Sequence, residues 1–184
     1  MNGRAVIPAL LLCLAVQPAS AAHWTVDYAK SRLGFTVQWS GEPFSASFRK
    51  WQADIDFDPD DLPHAHAAVS VDLASETSDE PDFDSGLKGA EGFATTRFPE
   101  AQFVTRAFRR MGANAYVADG MLSLHGMSRE IRLPFTPGIL GRSARMTGTV
   151  HVRRTDFALG QGEWAAPDPV AYDVAITIDL VATK

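Results

Sequence analysis

Apart from Cys13 the 184-residue chain has no cysteine, and Cys13 lies in the apolar run from Ala5 to Val16. A domain built from the rest can use neither a disulfide, a thiolate metal cluster nor a cysteine nucleophile, so its stability has to come from a buried core. Basic residues are also scarce: 17 Lys and Arg stand against 22 Asp and Glu, and the positive groups are scattered. That balance disfavours nucleic acid and anionic membrane surfaces as partners. No run after residue 22 is apolar for the length a membrane-spanning helix needs. Internal repeats, low-complexity tracts and the nucleophile elbow G-x-S-x-G are absent as well.

What the N-terminal residues do contain is a charge at Arg4, the apolar run, and then Gln17-Pro18-Ala19-Ser20-Ala21. A charged start, an apolar middle too short for a stable anchor and a small-x-small site predict a signal peptide over residues 1–21, cleaved after Ala21 or Ala22. Cys13 follows Leu12 rather than a small residue, which argues against a lipoprotein. The expected product, residues 22–184, is a periplasmic chain with 16 basic against 22 acidic side chains. About 160 residues suit one hydrophobic core, so one domain is expected.

From Trp24 onward the dominant period is two. Leu33, Phe35, Val37 and Trp39 alternate with Gly34, Thr36 and Gln38, and Phe44, Ala46 and Phe48 with Ser45, Ser47 and Arg49. The pattern recurs at Ile55–Phe57, 65–73, 101–109, 120–135, 144–152 and 174–182, giving eight or nine half-buried strands. Turns such as Ser40-Gly41-Glu42-Pro43 and Gly112-Ala113-Asn114 join them. The segment from Asp79 breaks the period: Phe83, Leu87 and Ala90 fall at helical spacing and acids crowd the first turn. It predicts a short helix over about 79–92.

Every strand has one apolar face, and closing the sheet buries those faces against each other without leaving an edge. The expected fold is all-β: a single antiparallel closed β-barrel of about eight strands, with the helix over one end. Bulky Phe35, Trp39, Phe48, Phe103 and Leu122 mix on the inward faces with small Ala46, Ala67, Ala144 and Gly148. On pattern alone a filled core and a ligand cavity fit equally well.

Several stretches together are similar to the YceI-like family of secreted bacterial proteins. They are WTVD followed by LGFTVQW, FSASFRKWQADIDFDP, VDLASETSD, LKGAEGFATTRFPEAQFVT, GMLSLHGMSREIRLPF and RTDFALGQGEW. The resemblance covers nearly all of residues 22–184. It implies a lipocalin-like barrel whose apolar tunnel holds an isoprenoid lipid, such as a prenyl phosphate or a quinone tail, with no cofactor and no catalysis. The residues then expected to bind the ligand are Phe35, Val37, Trp39, Phe48, Val71, Leu87, Phe93, Phe103, Leu122, Ile131 and Phe135. Two positions depart from the family: Gln38-Trp39 stands where many members carry a His, and Phe83-Asp84 where many carry Arg-Asp. The ending GQGEWAAPDPVAYDV resembles members that occur beside b-type cytochrome membrane proteins, which makes such a protein a candidate partner; a homodimer is left open.

Three features suggest chemistry instead. His64 and His66, two residues apart on an expected strand near Asp60 and Asp61, offer metal ligands, but a third is missing and a solvated strand start is the plainer account. His125 lies near Ser123 and Ser128; a histidine in a tight hairpin more often bonds the turn backbone than serves as a catalytic base. The pairs Asp60-Asp61 and Glu80-Asp82 suit turns and helix starts better than paired acid–base work. A barrel enzyme acting on an apolar substrate at His125 or at His64 and His66 is the alternative to the carrier.

Overall fold

A computed structural model describes residues 21–78 and 80–184. Apart from Ala21, the predicted signal segment, Cys13 included, lies outside the described residues, as does Asp79, where the predicted helix begins. Eleven described strands form one antiparallel sheet that closes on itself. They are β1 (His23–Val26), β2 (Arg32–Trp39), β3 (Glu42–Phe48), β4 (Trp51–Asp56), β5 (His66–Asp72), β6 (Glu76–Thr77), β7 (Glu100–Arg110), β8 (Tyr116–Leu124), β9 (Met127–Leu140), β10 (Ser143–Arg153) and β11 (Val170–Thr183).

The wall has eight strand positions, because three of them are shared by two short strands laid end to end. Both β1 and β2 run along β11, through Val26↔Ala182 and Asp179↔Arg32. Behind them β4 pairs with β1 and β3 with β2, and then β5 pairs with β4 and β6 with β3. The breaks are filled by serine hydroxyls. Ser31 Oγ donates to the carbonyl of Asp27 at 2.7 Å and accepts from the amide of Val181 at 2.9 Å, continuing the ladder between β1 and β2. Ser75 Oγ accepts from the amide of Lys50 at 3.0 Å in the gap between β3 and β4. Buried backbone groups need partners, and these side chains provide them where the ladder lapses.

The helix α1 (Pro81–Lys88) is shorter than the predicted 79–92. Pro81 opens it, Asp82 and Asp84 sit in its first turn, and Gly89 ends it by leaving helical geometry while its amide donates to the carbonyls of Ser85 and Gly86. Turns then carry the chain through Phe93 and Phe98 to β7. The end of the barrel under α1 is called the upper end. Inside the wall the buried side chains form two groups: an upper one around Phe35, Val37, Leu73, Phe93 and Val170, and a lower one around Trp24, Phe57, Tyr116, Phe135 and Leu180.

Candidate functional site: a divided apolar interior

The alternation of β2, β5, β7 and β11 sends one side chain in two into the barrel, where they do not meet completely. A cavity of about 180 Å³ occupies the upper half and one of about 100 Å³ the lower half. Leu33, Val69, Phe103, Leu133 and Ile178 line both, so a single collar of side chains divides one elongated interior. The lower part is open because Ala67, Ala118, Ala144 and Ala182 line it where larger residues would close it. In the collar, the Phe103 ring lies over Gly120, where a Cβ would come within 2.5 Å of it. The absence of a side chain at Gly120 is what lets Phe103 take that place.

Aromatic rings close the upper mouth. Trp39 meets Phe83 of α1 edge-on at 4.9 Å between centroids and Trp164 at 5.5 Å, while Phe44 lies 5.2 Å from Phe83. Edge-to-face packing of this kind adds to the burial of each ring. Ten of the eleven expected ligand-binding residues line the upper cavity: Phe35, Val37, Trp39, Phe48, Val71, Leu87, Phe93, Phe103, Leu122 and Ile131. Phe135 lines the lower one. Sequence reasoning missed Phe157, Leu159 and Trp164, which reach the upper cavity from the turns between β10 and β11. Their stretch, RTDFALGQGEW, has no period two to mark an inward face.

Among the described residues Arg154 is the one charged residue lining the upper cavity, and it is buried. Its guanidinium gives all its hydrogen bonds to main-chain carbonyls: Ala171 at 3.0 Å, Leu159 at 3.0 Å, Gly160 at 3.3 Å, and Ala166 and Val170 at 2.8 Å each. Burial holds its pKa below the usual guanidinium range, an effect Tyr172, stacked 5.2 Å away, opposes. Arg154 therefore pins the 158–170 segment to the barrel and has no donor left for a ligand.

A second buried charge lies beside the mouth. The Glu76 side chain is fully buried between β6 and α1, neither carboxylate oxygen has a hydrogen-bond partner among the described residues, and Lys88 Nζ stands 3.9 Å away. Burial, and then the charge of Asp84, push its pKa up to about 7 against the pull of Lys88. Burial would raise Asp84 too, but hydrogen bonds from the Ser78 hydroxyl and amide hold it below the usual carboxylate range.

The candidate chemical groups are not brought together. His64 lies in a 3-10 turn rather than on a strand, its Nδ1 2.7 Å from Asp61 Oδ1, whereas His66 opens β5 opposite Asp56. Pro63 within that turn delays the strand, so the expected shared face does not form. Ser123 and Ser128 pair with each other at 2.8 Å, and His125 Nδ1 bonds the carbonyl of Phe157 instead of either hydroxyl. Among the described residues, the set whose ligand atoms do converge is His23, Asp54 and Asp56, brought together by the β1–β4 pairing on the outer face. The His23 and Asp54 side chains are well exposed, and His23 Nδ1 already meets Asp56 Oδ1 at 3.0 Å.

Comparison with known proteins agrees with this architecture. The sequence profile of the YceI-like domain matches residues 24–182. A UPF0312 protein of Pseudomonas syringae pv. tomato is 25% identical over 169 residues, covering 88% of this chain and 83% of its own. Among solved structures, BcnA of Burkholderia cenocepacia superposes with a TM-score of 0.83 at 29% identity, covering 86% of this chain and 100% of its own. A polyisoprenoid-binding domain from Saccharophagus degradans, implicated in plant cell wall breakdown, shares the fold with a TM-score of 0.67 at 14% identity, covering 87% of this chain and 97% of its own.

Proposed function

Because the chain belongs to the YceI-like domain family, we propose that it is a periplasmic carrier holding one isoprenoid lipid, a polyprenyl chain or a quinone tail, inside the barrel. The observation that carries this reading is the interior itself: two apolar cavities in line, divided only by the collar at Leu33, Val69, Phe103, Leu133 and Ile178. Apolar cavities of this size stay dry. An isoprenoid in water costs about 0.8 kcal/mol for each exposed CH2, which transfer into such a space recovers without any catalytic group. The solved polyisoprenoid-binding relative supports the ligand class. His125 and the serines near it have structural partners, which favours binding over catalysis. The carrier needs neither the b-type cytochrome partner nor a homodimer. Export rests on the N-terminal pattern, and an intact mass from the native host beginning at Ala22 or His23 is its test. Mass spectrometry of a gentle organic extract of the purified protein tests the ligand: an isoprenoid lipid is expected, and a protein that neither carries one nor rebinds a prenyl quinone ends the carrier reading.

A further inference from the structure

The barrel wall is not sealed all the way round. β9 pairs with β8 from Met127 to Phe135, but with β10 only from Phe135 onward. β10 in turn pairs with β9 only from Ser143 to Gly148, while its ladder to β11 continues to Arg153. Residues 127–134 and 149–153 are thus regular strands, each held on its far side and parted from the other. Pro134, which has no amide hydrogen to give, stands at the fork.

A groove of about 860 Å³ lies along this parting. Ile131, Val150, Val152 and Phe157 line both the groove and the upper cavity, so one layer of side chains separates the apolar interior from solvent here. Arg129 lines the groove just beyond that layer. It stands opposite Leu122, which lines the cavity, and cross-strand partners share a face, so Arg129 belongs to the inward row of β9 and is exposed only because the wall is parted. Of the other arginines in the groove, Arg106 pairs with Glu130, Arg109 and Arg132 pair with Asp119, and Arg153 lies over the Tyr172 ring. No described carboxylate pairs with Arg129, whose guanidinium donates only to the carbonyl of Ser128.

Building on the carrier reading, we infer that the parting between β9 and β10 is a lateral port through which the isoprenoid chain slides into the cavity, with Arg129 binding an anionic phosphate head left at the threshold. A chain passing sideways crosses one layer of side chains, whereas the upper mouth is blocked by packed aromatic rings and by the segment that Arg154 pins. Arg154, which lines the cavity, has spent its donors, whereas Arg129 at the groove has not.

The test uses geranylgeranyl phosphate, the matching alcohol geranylgeraniol and inorganic phosphate, each titrated into lipid-stripped parent and Arg129→Ala protein. The parent is expected to prefer the phosphate ester by about tenfold or more, the worth of a charge-assisted hydrogen bond. Arg129→Ala should abolish that preference and leave alcohol binding unchanged. A preference that survives the substitution, or inorganic phosphate bound as tightly as the ester, overturns the assignment of Arg129. Continuing the register from Gly148↔Phe135 sets His151 opposite Arg132. Arg132→Cys with His151→Cys, in a Cys13→Ala background, can therefore be bridged across the port by a short bis-thiosulfonate, which forms a disulfide with each thiol and releases sulfinate. Bridging is expected to slow lipid release about tenfold or more, reversibly on reduction; release at the unbridged rate overturns the port. If neither lipid binds the parent, the carrier reading falls and the port with it.

Discussion

His125 Nδ1 lies 3.1 Å from the carbonyl oxygen of Phe157, and since a carbonyl only accepts, the proton of this imidazole is on Nδ1. The bond ties the β8–β9 hairpin to the buried ring that lines both the cavity and the groove. His125 reaches it from a left-handed backbone, φ 52°, followed by Gly126 at φ 74°, a pair that turns tightly between two strands. His125→Ala should lose the hydrogen bond and strain the turn, costing about 1–2 kcal/mol in a denaturant titration. His125→Asn, which tolerates the left-handed region, should cost less. Equal losses for the two would mean that backbone conformation contributes nothing here.

The pH dependence of stability should carry the signature of Glu76. Its folded pKa, about 7, lies above its ordinary value of 4.5, so the folded state binds the proton more tightly. Stability is then greatest below the unfolded pKa, falls as pH rises between the two values and is fully reduced above about 7. The difference is on the order of 3 kcal/mol. Glu76→Gln should be more stable than the parent at pH 8 and nearly equal to it at pH 4.5. Parallel stability curves for the two proteins would refute the assignment.

Ala67 and Ala46 are both small and buried, yet only Ala67 lines a cavity. Ala67→Phe is expected to fill the lower cavity and change the stability of the lipid-free protein by less than about 1 kcal/mol, while Ala46→Phe overpacks and costs about 1–3 kcal/mol. Because the upper cavity is untouched, Ala67→Phe should still bind a short prenyl chain and lose affinity for a long one. Equal loss of both chain lengths would mean that the two cavities do not act in line.

Arg154→Met removes the donors that five carbonyls share. Leaving such groups buried and unpaired is expected to cost about 3 kcal/mol or more and to expose the 158–170 segment to proteases. A variant as stable and as resistant as the parent would contradict the pinning role.

The sequence made the barrel legible because its alternation reports which face of a strand is buried. It does not report which neighbour a strand is bonded to. Leu33, Phe35, Val37 and Ile131, Leu133, Phe135 alternate in the same way, although β2 is paired on both edges and β9 is parted from β10 over half its length. Ser31 and Ser75 look like ordinary turn residues until their hydroxyls are found completing the ladder. Phe157 sits in a 3-10 turn without period, and Glu76 stands in a polar run where nothing marks a carboxylate as buried. The carboxylates that face His23 lie some thirty residues away, so only the pairing of β1 with β4 reveals them.

The wall closes between its first strand and its last: the Ser31 hydroxyl that completes the ladder meets Val181, 150 positions further along the chain. A polypeptide delivered N-terminus first therefore cannot finish the barrel before residues 170–183 have emerged. Until residues 170–183 arrive, β1 and β2 each lack one of their two partners, and a closed interior does not yet exist to receive a lipid. Contacts so distant in sequence form slowly. A copy cut short before β11 would present bare strand edges along its whole length, a surface suited to capture by chaperones and proteases.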